Sequence, residues 1–476
     1  MAEKLLEACL FFVYGIITKN RNYYFEKCKK STKTAKIIYF SQILIYNKRE
    51  GGDSMLIEFS VENFRSFKDK VTFSMEKGIG DENDINIFKF DNIELLKTSA
   101  LYGANASGKT NLVRAFTTAI LMIRQSNMIP VGGKWREIVP FMLDEDSRNK
   151  PTKFEFVFVA NNTKYKYSFS TDGSKIYDES LLAYYSQKPS SIFKRTNVND
   201  YEFPINDESK LKSIVSKNTE NKLFLATATT WNYEKTKDAY LWFMSSIDTY
   251  NNFSDILDND LKSLSEPNNE LKEFTLKLLR EADIVIKDIK VDYEEREMDL
   301  NLANMIIPPI ARTAEIPKIK NFNIEVEHEV IDGKGKNHVY SINFNDESSG
   351  TRILFALAPL LKRAFESTKV IIVDELENSL HPTLVEYIIN IFNNPRINKV
   401  NSQLIFTTHA VNLLDLDLFR RDQIWFAEKN GDTGVTDIYP LDDFSVRKTE
   451  NIEKGYLNGR YGAIPFIKEG ESLWDE

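Results

Sequence analysis

From Met55 the chain alternates, with Met55, Ile57, Phe59 and Val61 facing one way and Leu56, Glu58, Ser60 and Glu62 the other. That period of two predicts a strand with one mostly polar face. Val71, Phe73 and Met75 predict its partner, reached through the turn Asn63-Phe64-Arg65-Ser66-Phe67. The same period returns at Phe154, Phe156 and Phe158 and at Tyr165, Tyr167 and Phe169, either side of the turn-forming pair Asn161-Asn162. Alternating rings on a strand read as one buried face rather than a base-stacking platform. Residues 205–290 change to a helical texture rich in Lys, Glu and Leu, without the sustained a/d heptad of a long coiled-coil arm. Ile324, Val326, His328 and Val330 then predict a hairpin with Tyr340, Ile342 and Phe344 through Asp332-Gly333-Lys334-Gly335.

Two runs do not alternate. Val370-Ile371-Ile372-Val373 and Leu404-Ile405-Phe406 are apolar on both sides, as central parallel strands are. Between them Pro382 opens a helix where its missing N–H costs nothing. Before them Ile353, Leu357, Leu360, Leu361 and Ala364 share a helical face, in which Pro359 predicts a kink or the true start. Ile424 to Ala427, with Asn430-Gly431, predicts one more hairpin.

The strand ending at Tyr102 runs into Gly103-Ala104-Asn105-Ala106-Ser107-Gly108-Lys109-Thr110-Asn111 and then into a helix. Strand, small-residue loop and helix start are the context a phosphate-binding loop needs, because backbone N–H groups must wrap the phosphate at a helix N-terminus. Gly103 and Gly108 let the backbone close in, Lys109 reaches the β and γ phosphates of ATP, and the Thr110 hydroxyl takes Mg²⁺.

Acids at the exit of a buried strand complete that chemistry: Asp374 holds Mg²⁺ through water and Glu375 orients and deprotonates the attacking water. Ser348-Ser349-Gly350-Thr351 precedes a helix and offers hydroxyls and N–H groups to a phosphate. His409, at the end of the 404–406 strand, can donate to a γ-phosphate. His328 and His338 fall on the predicted hairpin and read as structural, whereas His381 follows Glu375 and is a candidate contact to an opposite protomer.

Taken in this order, with Arg65 in its aromatic-flanked turn, these motifs resemble the ABC-type ATPases of the chromosome-maintenance and OLD classes, whose two heads sandwich two ATP molecules. The resemblance runs from Met55 to about Leu441. It implies that Ser348 or Ser349 meets the γ-phosphate of a partner protomer. Within that superfamily Ser-Ser-Gly-Thr-Arg at 348–352, Asp-Glu-Leu-Glu-Asn-Ser-Leu-His-Pro at 374–382 and Gly-Arg-Tyr-Gly-Ala-Ile-Pro at 459–465 look most like the RloA/AbiL-type ATPases of bacterial abortive-infection loci. Ser349 replaces the first glycine of the general signature, which suits the OLD-like group better than transporters.

The fold expected is α/β, an ABC-type P-loop NTPase head with a mixed sheet flanked by helices and an inserted β-rich and helical lobe. Its parts are residues 55–141, the insertion 142–321 and residues 322–476. Residues 1–54 look foreign: they carry net +5 in a chain of net −8, so the remainder carries −13. They contain Cys9 and Cys28, the chain's 2 cysteines, so no disulfide or zinc site is available beyond them, which fits a reducing cytoplasm. The apolar run at 8–17 is too short to span a bilayer, which takes ~20 residues. Gly51-Gly52-Asp53-Ser54 reads back into a purine-rich stretch ahead of an ATG, so Met55 is the expected natural start.

An acidic core speaks against autonomous nucleic-acid binding, since Lys318 with Lys320 and Arg420 with Arg421 are only short basic clusters. Nucleic acid is left open only through a complex, and no membrane contact is expected. Asp415-Leu416-Asp417 imitates the paired acids of a Toprim nuclease but reads as a helix surface. The whole reads as a cytoplasmic ATPase that forms a homodimer or higher even-numbered homo-oligomer over ATP and Mg²⁺. It would control a separately encoded, Toprim-like nuclease in phage defence. A DNA repair or chromosome-maintenance ATPase of the RecF/SMC type is the alternative.

Overall fold

The computed structural model describes residues 52–250, 261–266, 269–297, 318–378 and 380–465. The expectations for residues 1–51, for Ser379 and for the side chains of Lys318 and Lys320 lie outside these residues.

Strands β1 (Met55–Glu62) and β2 (Val71–Ser74) lead through a small hairpin, β3 (Ile87–Phe90) and β4 (Ile93–Leu96), to β5 (Thr98–Tyr102) and helix α1 (Lys109–Gln125). Five strands follow: β6 (Thr152–Ala160), β7 (Thr163–Thr171), β8 (Ile176–Tyr184), β9 (Ser190–Thr196) and β10 (Asp200–Glu202). Helices α2 (Glu208–Val215), α3 (Phe224–Thr230) and α4 (Lys237–Ser245) deliver the chain to β11 (Ile247–Tyr250). Then come α5 (Glu270–Glu281), β12 (Asp288–Glu297), β13 (Lys318–Ile331), β14 (Asn337–Asn343) and α6 (Ser349–Glu366). The last part holds β15 (Val370–Val373), α7 (Pro382–Asn393), β16 (Gln403–Thr407), β17 (Ile424–Lys429), β18 (Thr436–Pro440) and α8 (Ile452–Leu457).

Two large sheets result. One has seven strands in the order β10-β9-β8-β7-β6-β1-β2, all antiparallel. The other has six, β11-β15-β16-β5-β17-β18, parallel except for the antiparallel edge strand β18. The apolar runs seen in the sequence are the middle of this second sheet. Their residues alternate between two cores, which is why neither face could be polar. Val370, Ile372 and Ile405 join Phe59, Phe116 and Phe156 between the sheets, whereas Ile371, Val373, Leu404 and Phe406 pack under α6 and α7. Helix α1 lies between the two sheets, its Phe116 ring stacked on Phe59 at 3.8 Å between centroids. Truncating so buried a ring costs about 3–5 kcal/mol.

Several expectations are corrected. The second face of β1 is not polar surface, since Leu56 and Ser60 are buried: β1 sits between β2 and β6, and the fully buried Gln403 staples it to the other sheet by bonds to both the Leu56 N–H and its carbonyl. The antiparallel sheet draws strands from both sides of residue 141, with β6 paired to β1 along its length. The helical stretch 205–290 contains β11, whose Thr249 and Asp248 are tied to Thr117 and Arg124 of α1. Pro359 does not mark a start, as α6 runs through it from Ser349. The expected hairpin forms with Val326 opposite Ile342, and β12 adds a third strand to it. Asp415 and Asp417 lie in a turn rather than on a helix, the Asp417 N–H donating to the Asp415 carboxylate.

Candidate functional site

All five residues of β5 are buried, and the chain leaves the sheet edge at Gly103. A methyl group at Gly103 would lie 2.4 Å from the Ala427 carbonyl oxygen, and one at Gly108 would lie 2.6 Å from the Thr436 side chain. Glycine is therefore required at both ends of the loop. Gly108 caps α1 in a left-handed conformation with no side-chain hydrogen bond. A helix N-terminus left uncapped by side chains carries free N–H groups and a partial positive charge, which an anion satisfies.

Lys109 is buried, and its ammonium donates to the Gly103 and Ala104 carbonyls at 2.8 and 3.1 Å. Burial pushes it down to about 8, against the opposing pull of Asp374, Glu375 and Glu377. The loop tip, Asn105 and Ala106, is exposed. Asn111, one turn into α1, donates to the Ser66 hydroxyl at 2.9 Å, and the Thr436 N–H donates to the Ser66 carbonyl. The 63–67 turn thus buttresses the helix start. Its Arg65 faces Glu137 at 3.5 Å, and burial, then Arg114, lowers its pKa.

The parallel sheet brings distant residues to the same edge. The Thr110 hydroxyl lies 3.4 Å from Asp374 Oδ1, at the exit of β15. One hydroxyl plus one carboxylate is the protein share that Mg²⁺ takes when phosphates and waters fill its other positions, so these residues fit that ion. Among the described residues no group of three or more His, Cys, Asp or Glu is placed to cage a metal. Glu375 has a left-handed backbone, φ 52°, and a half-exposed side chain 4.0 Å from His409 Nε2. Burial, followed by the Lys109 charge, lowers the His409 pKa, which favours the neutral ring.

Sequence reasoning missed two residues that fix this edge. Thr407 donates its hydroxyl to Asp374 Oδ1 at 2.6 Å and accepts the Glu375 N–H at 2.8 Å, joining the two acids that follow β15. Glu377 accepts the His409 N–H at 2.5 Å and pushes the buried Tyr102 phenol further above its usual range, behind burial itself. Glu377 lies in the 374–382 string and Thr407 just after the 404–406 strand, but nothing in the residue order told a strand-exit threonine or a third acid from its neighbours.

Ser348 to Gly350 sit apart. Ser348 is the N-cap of α6, its hydroxyl accepting the Thr351 N–H, and Ser348 and Ser349 are exposed. Among the described residues, none of the hydrogen bonds or ion pairs joins residues 348–350 to the loop or to Asp374 and Glu375. His328 and His338 are held by Glu347 and Asp332, and His381 caps α7. An open cavity of about 870 Å³ flanks the loop, walled by residues 104–107, 430–435 and 463–465. It is not lined by Lys109, Asp374, Glu375 or His409.

Among solved structures, the SMC head domain from Thermotoga maritima matches at 14% identity over 81% of this chain and 98% of that chain, with a TM-score of 0.36. No curated protein matches this chain. A family model described as "AAA domain, putative AbiEii toxin, Type IV TA system" matches residues 99–415, from the strand that feeds the phosphate loop to just beyond His409, and the chain belongs to that AAA family.

Proposed function

We propose that this chain is an ATP hydrolase of the ABC/OLD-like type. The observation that carries this reading is the meeting of Thr110 and Asp374 at an uncapped helix N-terminus, with Glu375 next in the chain. In the reaction, water attacks the γ-phosphorus, the bond to the β–γ bridging oxygen breaks, and Glu375 takes the proton that water loses. Lys109 and the α1 N–H groups hold the phosphates, and His409 donates to the γ-phosphate. Mg²⁺, bound by Thr110 and through water by Asp374, would offset the phosphate charge.

Two copies close over ATP in this reading, each lending residues 348–350 to the other's phosphate loop, and the closure controls a separately encoded effector in phage defence. The motif strings support an RloA/AbiL-type system with a Toprim-like nuclease as that effector. The cytoplasm is the proposed compartment. Among the described residues no helix is long and apolar enough to cross a membrane.

The test is phosphate release from ATP with Mg²⁺, together with phage challenge of cells carrying the gene alone or with its neighbour. The reading predicts hydrolysis that stops in Glu375→Gln, and protection only when the neighbour is present. Wild-type hydrolysis by Glu375→Gln would remove the assigned base, and full protection by this gene alone would remove the effector.

A further inference from the structure

The string Gly-Arg-Tyr-Gly-Ala-Ile-Pro at 459–465 has no role in the chemistry above, yet it packs directly on the phosphate loop. The Ala104 N–H donates to the Ala463 carbonyl at 2.8 Å. That carbonyl also accepts the Tyr456 hydroxyl, while the Ala463 N–H donates to Glu428. The Tyr439 hydroxyl donates to the Tyr461 carbonyl at 2.9 Å. Gly462 and Ala463 both have left-handed backbones, φ 68° and 57°, and this double turn aims the carbonyl at the loop. A left-handed alanine persists only where its surroundings hold it. A methyl at Gly462 would sit 2.7 Å from the Tyr439 hydroxyl and 2.9 Å from the Glu428 carboxylate.

We propose that this C-terminal strap is a positioning element of the nucleotide site, which holds the phosphate loop in its binding shape through the Ala463 carbonyl. The inference rests on the nucleotide reading. Ala104 is gripped on both sides, its N–H by Ala463 and its carbonyl by the Lys109 ammonium and the Ser107 N–H. When Lys109 turns to a phosphate it releases that carbonyl, leaving the loop's entry held by its own Ser107 N–H and, from outside the loop, by the strap. Its energy then favours the bound shape without touching the nucleotide. Coupling of this kind is reciprocal: if the strap raises ATP affinity, ATP must steady the strap by the same factor.

The test uses the full chain and two measurements. Tyr439→Phe/Tyr456→Phe removes the hydroxyls that hold the strap and keeps the rings packed on Phe426. The expected result is ATP affinity weakened about tenfold, kcat at saturating ATP within about twofold, and a Tm of the nucleotide-free protein lowered by only a few degrees, too little to unfold it under assay conditions. In the unmutated chain, ATP should slow hydrogen exchange at Ala463 and its neighbours by a similar factor. Unchanged affinity in the double variant, or unchanged exchange at 461–463 while the loop's own amides gain protection, would overturn the strap alone. If the unmutated chain binds no ATP, and Lys109→Ala changes nothing, the nucleotide reading falls and takes the strap with it.

Discussion

The phosphate loop and the serine turn at 348–350 are both helix N-termini, and the chain finishes them in opposite ways. At α1 no side chain caps the helix, the lysine is buried, and Ser66, Thr436 and Ala463 brace the loop from three sides. At α6 Ser348 caps its own helix, and the turn stands in solvent. In the proposed reading, one end holds the nucleotide bound by its own chain, and the other meets the nucleotide bound by a partner copy. The difference also separates the two serines: the Ser348 hydroxyl accepts the Thr351 N–H and is paired with the Thr351 hydroxyl, so in the proposed dimer the contact to a partner's γ-phosphate is assigned to Ser349.

The largest effect belongs to the buried end. Lys109→Ala should weaken ATP binding about 100-fold, the worth of a charge-assisted contact in a site shielded from water, as calorimetry would show. A variant that binds ATP as the natural chain does would put the phosphate elsewhere. At the exposed end Ser349→Ala should leave binding intact and slow hydrolysis about 10–100-fold, as loss of a transition-state donor does. Ser348→Ala should instead cost about 1 kcal/mol of stability with little change in rate, because it loses a cap. The reverse pattern in a rate assay would exchange the roles of the two serines.

Thr407→Val should lower kcat about tenfold and move the Mg²⁺ dependence to higher concentration, with Thr407→Ser restoring both, since the hydroxyl joins Asp374 to Glu375. Failure of the serine to rescue would make Thr407 a packing residue. The mildest effect is on pH. Lys109 loses its proton near 8 in the folded chain, whereas an unfolded lysine keeps it to about 10.4. Between those values the unfolded chain binds more protons, so the nucleotide-free protein should gain stability as pH rises. ATP affinity should fall over the same rise, about fourfold from pH 7 to 8.5, because the ammonium that meets phosphate is being lost. Flat affinity across that range would mean that the ammonium is not what meets the phosphate.

What could be read from the sequence was what local chemistry dictates. The loop, the acids after β15 and His409 after β16 are announced by apolar runs that must be buried on both faces. β11 was not: Ile247-Asp248-Thr249-Tyr250 is short and half polar, and it becomes a strand because β15 and α1 offer it partners more than a hundred residues away in one case and in the other. The joining of β6 to β1 is equally silent, since alternation predicts strands without saying which pairs with which. The polar face assigned to β1 failed for the same reason, as Leu56 is covered by an element remote in sequence. Thr407, Glu377 and the strap belong to this class, being defined by what three separate segments do where they converge.

The central claim is that the buried loop and the exposed serine turn are two halves of one site completed between copies. The measurement that tests it most directly is the mass of Glu375→Gln in solution by light scattering, with and without ATP and Mg²⁺. The account predicts that ATP doubles the mass, and that Ser349→Arg in the same background abolishes the doubling while ATP stays bound. A Glu375→Gln chain that binds ATP and keeps its nucleotide-free mass would contradict it.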